Sequence, residues 1–173
     1  MVEIEYEKAR VKLEDTNLIY EPAEDSFLLA DAALKEADRG MRILEIGAGS
    51  GFVSAVLMAN IKEISLITTE INPHAALCAK MNGLEVVRTD LFSGIRSKSS
   101  GNLFDLILFN APYLPTSKEE KIPGWLNYAF DGGSNGRETL YRFLDEVKGY
   151  IRPEGKILLL ISSITGLEAV KKK

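Results

Sequence analysis

The chain has 173 residues, 46% of them apolar and 27% charged, with a formal net charge of −4. That length suits one domain with a real core, and the acidic balance argues against the broad basic footprint of a general nucleic-acid binder. A single cysteine, Cys78, excludes an internal disulfide, and no Cys/His cluster spells a zinc site, so an intracellular, cytoplasmic setting is expected. The N-terminal "MVEIEYEKAR" has no apolar leader core, and "LILF" and "ILLLI" are too short to span a bilayer, so neither a leader nor a membrane span is expected.

The opening stretch shows no clear period. Next, "EPAEDSFLLADAALKEA" (21–37) sets Phe27, Leu28, Ala30, Ala33, Leu34 and Ala37 close to helical spacing, with Pro22 suited to a helix start. "RILEI" reads as a strand, "GFVSAVLMAN" as a helix and "EISLITTE" as a strand. "NPHAALCAKMNG" reads as a helix that Pro73 starts and Gly83 stops. "LEVVRTD" and "LFDLILFN" read as strands, separated by "SGIRSKSSGN" (93–102), an exposed loop. "GRETLYRFLDEVKGYI" (136–151) predicts a helix and "GKILLLIS" a last strand. Helices alternating with nearly continuous apolar strands predict a doubly wound, mostly parallel α/β sheet covered on both faces. Ligands bind such sheets beyond the carboxyl ends of the strands, where strand order reverses. Four of those ends carry unusual residues: "EIGAGSG", "TTEINP", "TDLF" and "FNAPY".

"LEIGAGSG" (44–51) follows a strand and opens a helix, so Gly47, Gly49 and Gly51 form a tight turn that a ligand can approach closely. Such a turn also serves simply to pass strand to helix. Glu70 stands about 20 residues on, where an acid can accept both hydrogen bonds of a ribose diol. Asp90 can accept from an adenine amino group while Leu91 and Phe92 pack its ring. A nicotinamide dinucleotide would want glycine at position 52, where this chain has Phe52. Glu45, just before the glycines, would repel a diphosphate and attract a sulfonium or an amino group. The set favours S-adenosylmethionine. At the fourth strand end, the Asn110 side-chain oxygen and the Ala111 carbonyl can accept the two hydrogens of a substrate NH2 group, with Pro112 stiffening the loop and Tyr113 stacking on a planar group. Orientation and exclusion of water then carry the methyl transfer, with no strong base required. The one histidine, His74, reads as structural.

"EIGAGSG", "FNAPYLP" and "YEPAEDSFLLADAAL" together resemble the HemK-like family of S-adenosylmethionine-dependent methyltransferases, which modify glutamine in the Gly-Gly-Gln motif of translation release factors. The resemblance spans 19–163 and is closest to the archaeal and eukaryotic branch, also described as N6-adenine methyltransferases. It implies one Rossmann-like domain over 1–173, with an N-terminal extension and helix to about 40 and a catalytic core over about 41–163. It implies cofactor contacts from Ser26, Glu45, Gly47, Glu70, Asp90, Leu91 and Asn110, and a clamp of Asn110, Ala111, Pro112 and Tyr113 on the substrate. "DGGSNGRE" (131–138) is similar to the family as well, and reads either as a loop over the substrate entrance or as a connection capping the next helix. Two departures stand out. Ala111 replaces the family's proline, keeping the carbonyl but losing rigidity, so slower catalysis is expected. The sequence also stops before the two further strands, a hairpin, that end the family's sheet, so either it is a truncated piece or an open sheet edge is expected. The resemblance implies a release factor as substrate and a small zinc-binding activator as partner. Other readings stay open: methylation of a nucleic-acid amino group, methylation of a protein lysine, or a cofactor-binding subunit inactive alone.

Overall fold

The computed structural model describes residues 2–14, 17–96, 103–117 and 123–173. The apolar runs form five parallel strands: β3 (Arg42–Ile46), β4 (Ser65–Glu70), β5 (Val86–Arg88), β6 (Phe104–Asn110) and β7 (Ile151–Leu160), in the order β5-β4-β3-β6-β7. Order reverses between β3 and β6, and the carboxyl ends of β3, β4, β5 and β6 carry the four unusual segments. Both faces are covered, as near-continuous apolar strands require. Along β6, Leu106 and Leu108 enter one core, while Ile107 and Phe109 enter the other.

The first core packs α1 (Glu24–Glu36), α2 (Phe52–Asn60) and α3 (Pro73–Met81) on the sheet. The second is closed by α4 (Glu138–Glu146), whose Leu140 and Phe143 are buried, with Phe143 stacked on Phe92 at 5.5 Å. A short α5 (Leu167–Lys171) follows β7. Gly51 explains one tight packing. It caps α2 with φ of +83°, and a Cβ there would stand 2.3 Å from Leu84 Cδ1.

The structure differs from the sequence reading in several places. The first stretch is an antiparallel hairpin, β1 (Val2–Tyr6) and β2 (Ala9–Leu13), which buries Ala9, Val11 and Leu13 against α2 and α3. In α1, Leu29 is buried and Leu28 faces outward at 63% exposure. β5 is only three residues long. The helix expected to reach residue 151 stops at Glu146 and passes through a 3-10 turn, Val147–Gly149. β7 starts at Ile151, so "RPEG" lies inside the strand, where the register against β6 shifts between Phe104 and Leu106. Gly155 makes that irregularity fit, because a Cβ there would press 2.7 Å from Ile151 Cδ1 and 3.0 Å from the Phe104 carbonyl oxygen. Of the expected loop 93–102, residues 97–102 lie outside the described residues. Among the described residues, no helix is long and apolar enough to cross a membrane.

Candidate active site

Two hollows open beyond the strand ends, with Gly47 and Tyr128 on the border of both. The first is lined by Ser26, Glu45, Gly49, Glu70, Asn110 and Tyr113 among others. β4 alternates as a strand must, so Glu70 faces this hollow while Thr69 and Ile71 face the other. Glu70 is held on both sides. Its Oε2 accepts from the Gly49 amide at 2.7 Å and its Oε1 from the Asn72 amide at 2.8 Å. Glu45 is buried beneath, accepting the Ser54 amide at 3.1 Å and, more closely, the Ser54 hydroxyl. Burial raises its carboxyl from the usual 4.5 to about 7, against the lowering effect of the Ser54 bonds. Burial also raises Glu70, opposed by its backbone amides.

At the end of β6, Asn110 is half-buried and its Nδ2 donates to Asp25 Oδ2 at 2.9 Å. Its oxygen takes no hydrogen bond from the described residues. Tyr20 donates its hydroxyl to Asp25 Oδ1 at 2.9 Å, and its ring meets Phe130 edge-on at 5.4 Å. Over the hollow lies a short 3-10 helix, Trp125–Ala129, in which Trp125 stacks on Tyr128 at 5.4 Å and Arg88 sits 5.8 Å above the Trp125 ring.

The second hollow takes Asp90 and Leu91 from the end of β5, Pro112 from the loop after β6, and Arg142 from α4. Asp90 already accepts from Arg142 at 2.7 Å. Leu91 is buried with φ of +45°, a left-handed turn that brings Phe92 back into the core. The predicted clamp is therefore divided: Asn110 and Tyr113 line the first hollow, Pro112 the second, and the buried Ala111 neither. Gly51 lines neither, because its missing side chain makes room for Leu84 and Ala79 instead. His74 also lines neither hollow.

Ala111 is buried and its N–H donates to the Leu160 carbonyl of β7 at 3.3 Å. A proline has no such donor, so alanine here ties the loop to the sheet and restores restraint that the ring would have supplied. The "DGG" loop adds more. Leu114 donates to Phe130, Gly132 to Leu114 and Thr116 to Gly133, each at 3.0 Å. Gly136, with φ of +69°, lies so close that a Cβ would stand 2.6 Å from the Tyr113 carbonyl oxygen. The same loop closes on α4, where Glu138 Oε1 accepts from the Ser134 amide and hydroxyl at 2.9 Å each. The stretch is a connection into α4, whose N-cap Arg137 makes no side-chain cap bond, and the same loop braces the segment after β6.

Tyr20, Asp25 and the Trp125–Tyr128 pair were not singled out by sequence. Asp25 was hidden in plain sight, because acids in the first turn of a helix are common for reasons of the helix dipole alone. Its adjacency to Ser26 in "AEDSF" was the available signal.

A sheet of this order, with glycine turn, acidic strand ends and an Asn loop at the switch point, defines a Rossmann-like methyltransferase. The family model for the methyltransferase small domain matches residues 24–123, and the chain belongs to that family. It is 41% identical over 169 residues to a Methanocaldococcus jannaschii protein provisionally named a protein N5-glutamine methyltransferase, covering 94% of this chain and 81% of the relative. Methyltransferase HEMK2 of Mus musculus is 42% identical over 152 residues, covering 82% of this chain and 71% of its own. Among solved structures, the E. cuniculi Mtq2–Trm112 complex, responsible for methylation of the eRF1 translation termination factor, matches with a TM-score of 0.69 at 28% identity, over 89% of this chain and 80% of that one.

Proposed function

We propose that the chain is an S-adenosylmethionine-dependent N-methyltransferase whose substrate is the side-chain amide of the glutamine in the Gly-Gly-Gln motif of a translation release factor, acting in the cytoplasm. The observation that carries the reading is Asn110, held by Asp25 through its nitrogen and offering its oxygen at the rim of a hollow lined by Glu45 and Glu70. The relatives' names supply the substrate class.

The residues present fit the cofactor. The Glu70 carboxylate is held in place by the backbone amides around it, those of Gly49 and Asn72 among them, and faces the hollow ready to accept from a diol. Nothing stands within 4 Å of a Cβ built on Gly49, so the turn leaves room for a ligand against the backbone. Ser26 is at hand for polar contact, Glu45 offers negative potential once pH passes its raised pKa of about 7, and the second hollow offers Asp90 and Leu91 for a base. When bound, S-adenosylmethionine supplies an electrophilic methyl on a sulfonium.

The chain's residues do the rest by positioning. An amide nitrogen is a poor nucleophile because its lone pair is delocalised. Asn110 Oδ1 and the Ala111 carbonyl accept its two hydrogens, Tyr113 packs on its plane, and Pro112 with the "DGG" brace keeps the loop in place. A small zinc-binding activator belongs to the same proposal, drawn from the resemblance and from the Trm112 partner of the E. cuniculi relative.

The test is transfer of label from S-adenosylmethionine to the release factor, with and without the activator. Label should require both the Gly-Gly-Gln glutamine and Asn110. Labelling that persists when that glutamine is changed, or that goes to RNA, DNA or a lysine instead, would overturn the substrate assignment.

A further inference from the structure

Asp25 enters the reaction above only as the partner of the Asn110 nitrogen, and among the described residues its carboxylate is what holds that amide. Its Oδ2 accepts from Asn110 Nδ2 at 2.9 Å across 85 positions of sequence, while its Oδ1 accepts from the Tyr20 hydroxyl at 2.9 Å and the Ser26 amide at 2.7 Å. The two oxygens therefore have different tasks. One fixes the carboxylate to the helix start and to Tyr20, and the other meets Asn110. A carboxylate only accepts hydrogen bonds, whereas a carboxamide has a donating end and an accepting end. The end of Asn110 turned toward Asp25 must be nitrogen, and the end left to the hollow must be oxygen.

We propose that Asp25 is a positioning residue that sets the direction of the Asn110 amide, and so makes the site select a substrate group that donates two hydrogens over one that accepts. The inference rests on the reading of Asn110 as substrate acceptor. A carboxamide turns about its terminal torsion over a broad, nearly two-fold profile. Without Asp25, a half-turn would present the Asn110 NH2 to the substrate NH2, two donors face to face, and one of the two acceptors would be lost. Tyr20 secures the arrangement from behind. Its hydroxyl stays a donor across the working range, because burial first and the Asp25 bond second push its pKa far upward. Its ring is fixed in turn against Phe130.

The experiment uses the full chain, with its activator where activity needs one, and reads the side-chain amide of Asn110 by nitrogen–proton NMR, assigned through its disappearance in Asn110→Ala. Asp25→Ala should shift or broaden that amide signal. It should lower kcat by about ten- to hundredfold, as loss of an orienting partner does elsewhere, with KM for the methyl donor within about twofold. In the Asn110→Ala background the same change should cost nothing further. Tyr20→Phe should produce a smaller fall of the same kind. If Asp25→Ala does not fold, isosteric Asp25→Asn carries the same NMR reading, with a second population of the amide signal expected. An unmoved Asn110 amide signal, or an equal loss in both backgrounds, would overturn the proposal. Absence of label on the release-factor glutamine with wild-type chain would remove the substrate reading instead, and the amide signal would still decide whether Asp25 sets Asn110.

Discussion

The two hollows are built from the same kind of part, an acid at the carboxyl end of a parallel strand, and they treat it in opposite ways. Glu45 and Glu70 at the ends of β3 and β4 are 4% and 6% exposed, and their oxygens are taken up by backbone amides and Ser54. Asp90 at the end of β5 keeps a side chain 44% exposed and is met by a mobile-length partner, Arg142. β3 and β4 are central strands with neighbours on both sides, whereas β5 is the short edge. Central strand ends can desolvate a carboxylate and aim it rigidly. Edge ends leave it in water, where a charged partner adds little.

Four measurements would break or sharpen that contrast. The largest effect is expected from Glu70→Ala, which removes an acceptor pair for the diol. Affinity for S-adenosylmethionine, followed by calorimetry, should fall by more than about 100-fold, since each hydrogen bond to a charged acceptor contributes about 1.5–3 kcal/mol. An unchanged affinity would take Glu70 out of the site.

Next comes the pH dependence of stability. Glu45 has a folded pKa of about 7, above the usual 4.5, so the folded chain binds the extra proton. Its stabilising contribution is complete below pH 4.5 and lost as pH rises through about 7. Glu45→Gln should therefore gain on the wild type by on the order of 3 kcal/mol between those limits, read from urea melts. A constant difference would mean the buried carboxyl stays ionised throughout. Asp90→Ala should be milder, about tenfold in affinity from one lost hydrogen bond, with the urea midpoint unmoved. Smallest of all, Arg142→Ala should change stability by less than about 1 kcal/mol, and salt should shrink even that.

The central part of this structure was legible because burial on both faces writes itself plainly: "RILEI" and "LFDLILF" have no polar alternation to confuse them. The acids at the strand ends stood out for the same reason, as polar residues closing apolar runs. What stayed hidden depended on contacts between distant segments. The hairpin of β1 and β2 alternates between fully buried and exposed only in its second strand, at Ala9, Val11 and Leu13, while its first strand half-buries Ile4 and Tyr6. Leu28 looked like a core residue because its neighbours are apolar, yet the helix turns it outward. "RPEG" reads as a break, and only the register shift against β6 lets it remain in the strand. The pairing of Asp25 with Asn110 spans 85 positions and has no local trace.

The close approach of Gly136 to the Tyr113 carbonyl makes these two distant segments a single unit of inheritance. A designer who grafts the Asn-loop onto another sheet without the glycine loop transfers the chemistry but not its support. Divergence faces the same constraint: any side chain acquired at position 136 must be accompanied by a shift of the Tyr113 backbone, so the two stretches can change only together.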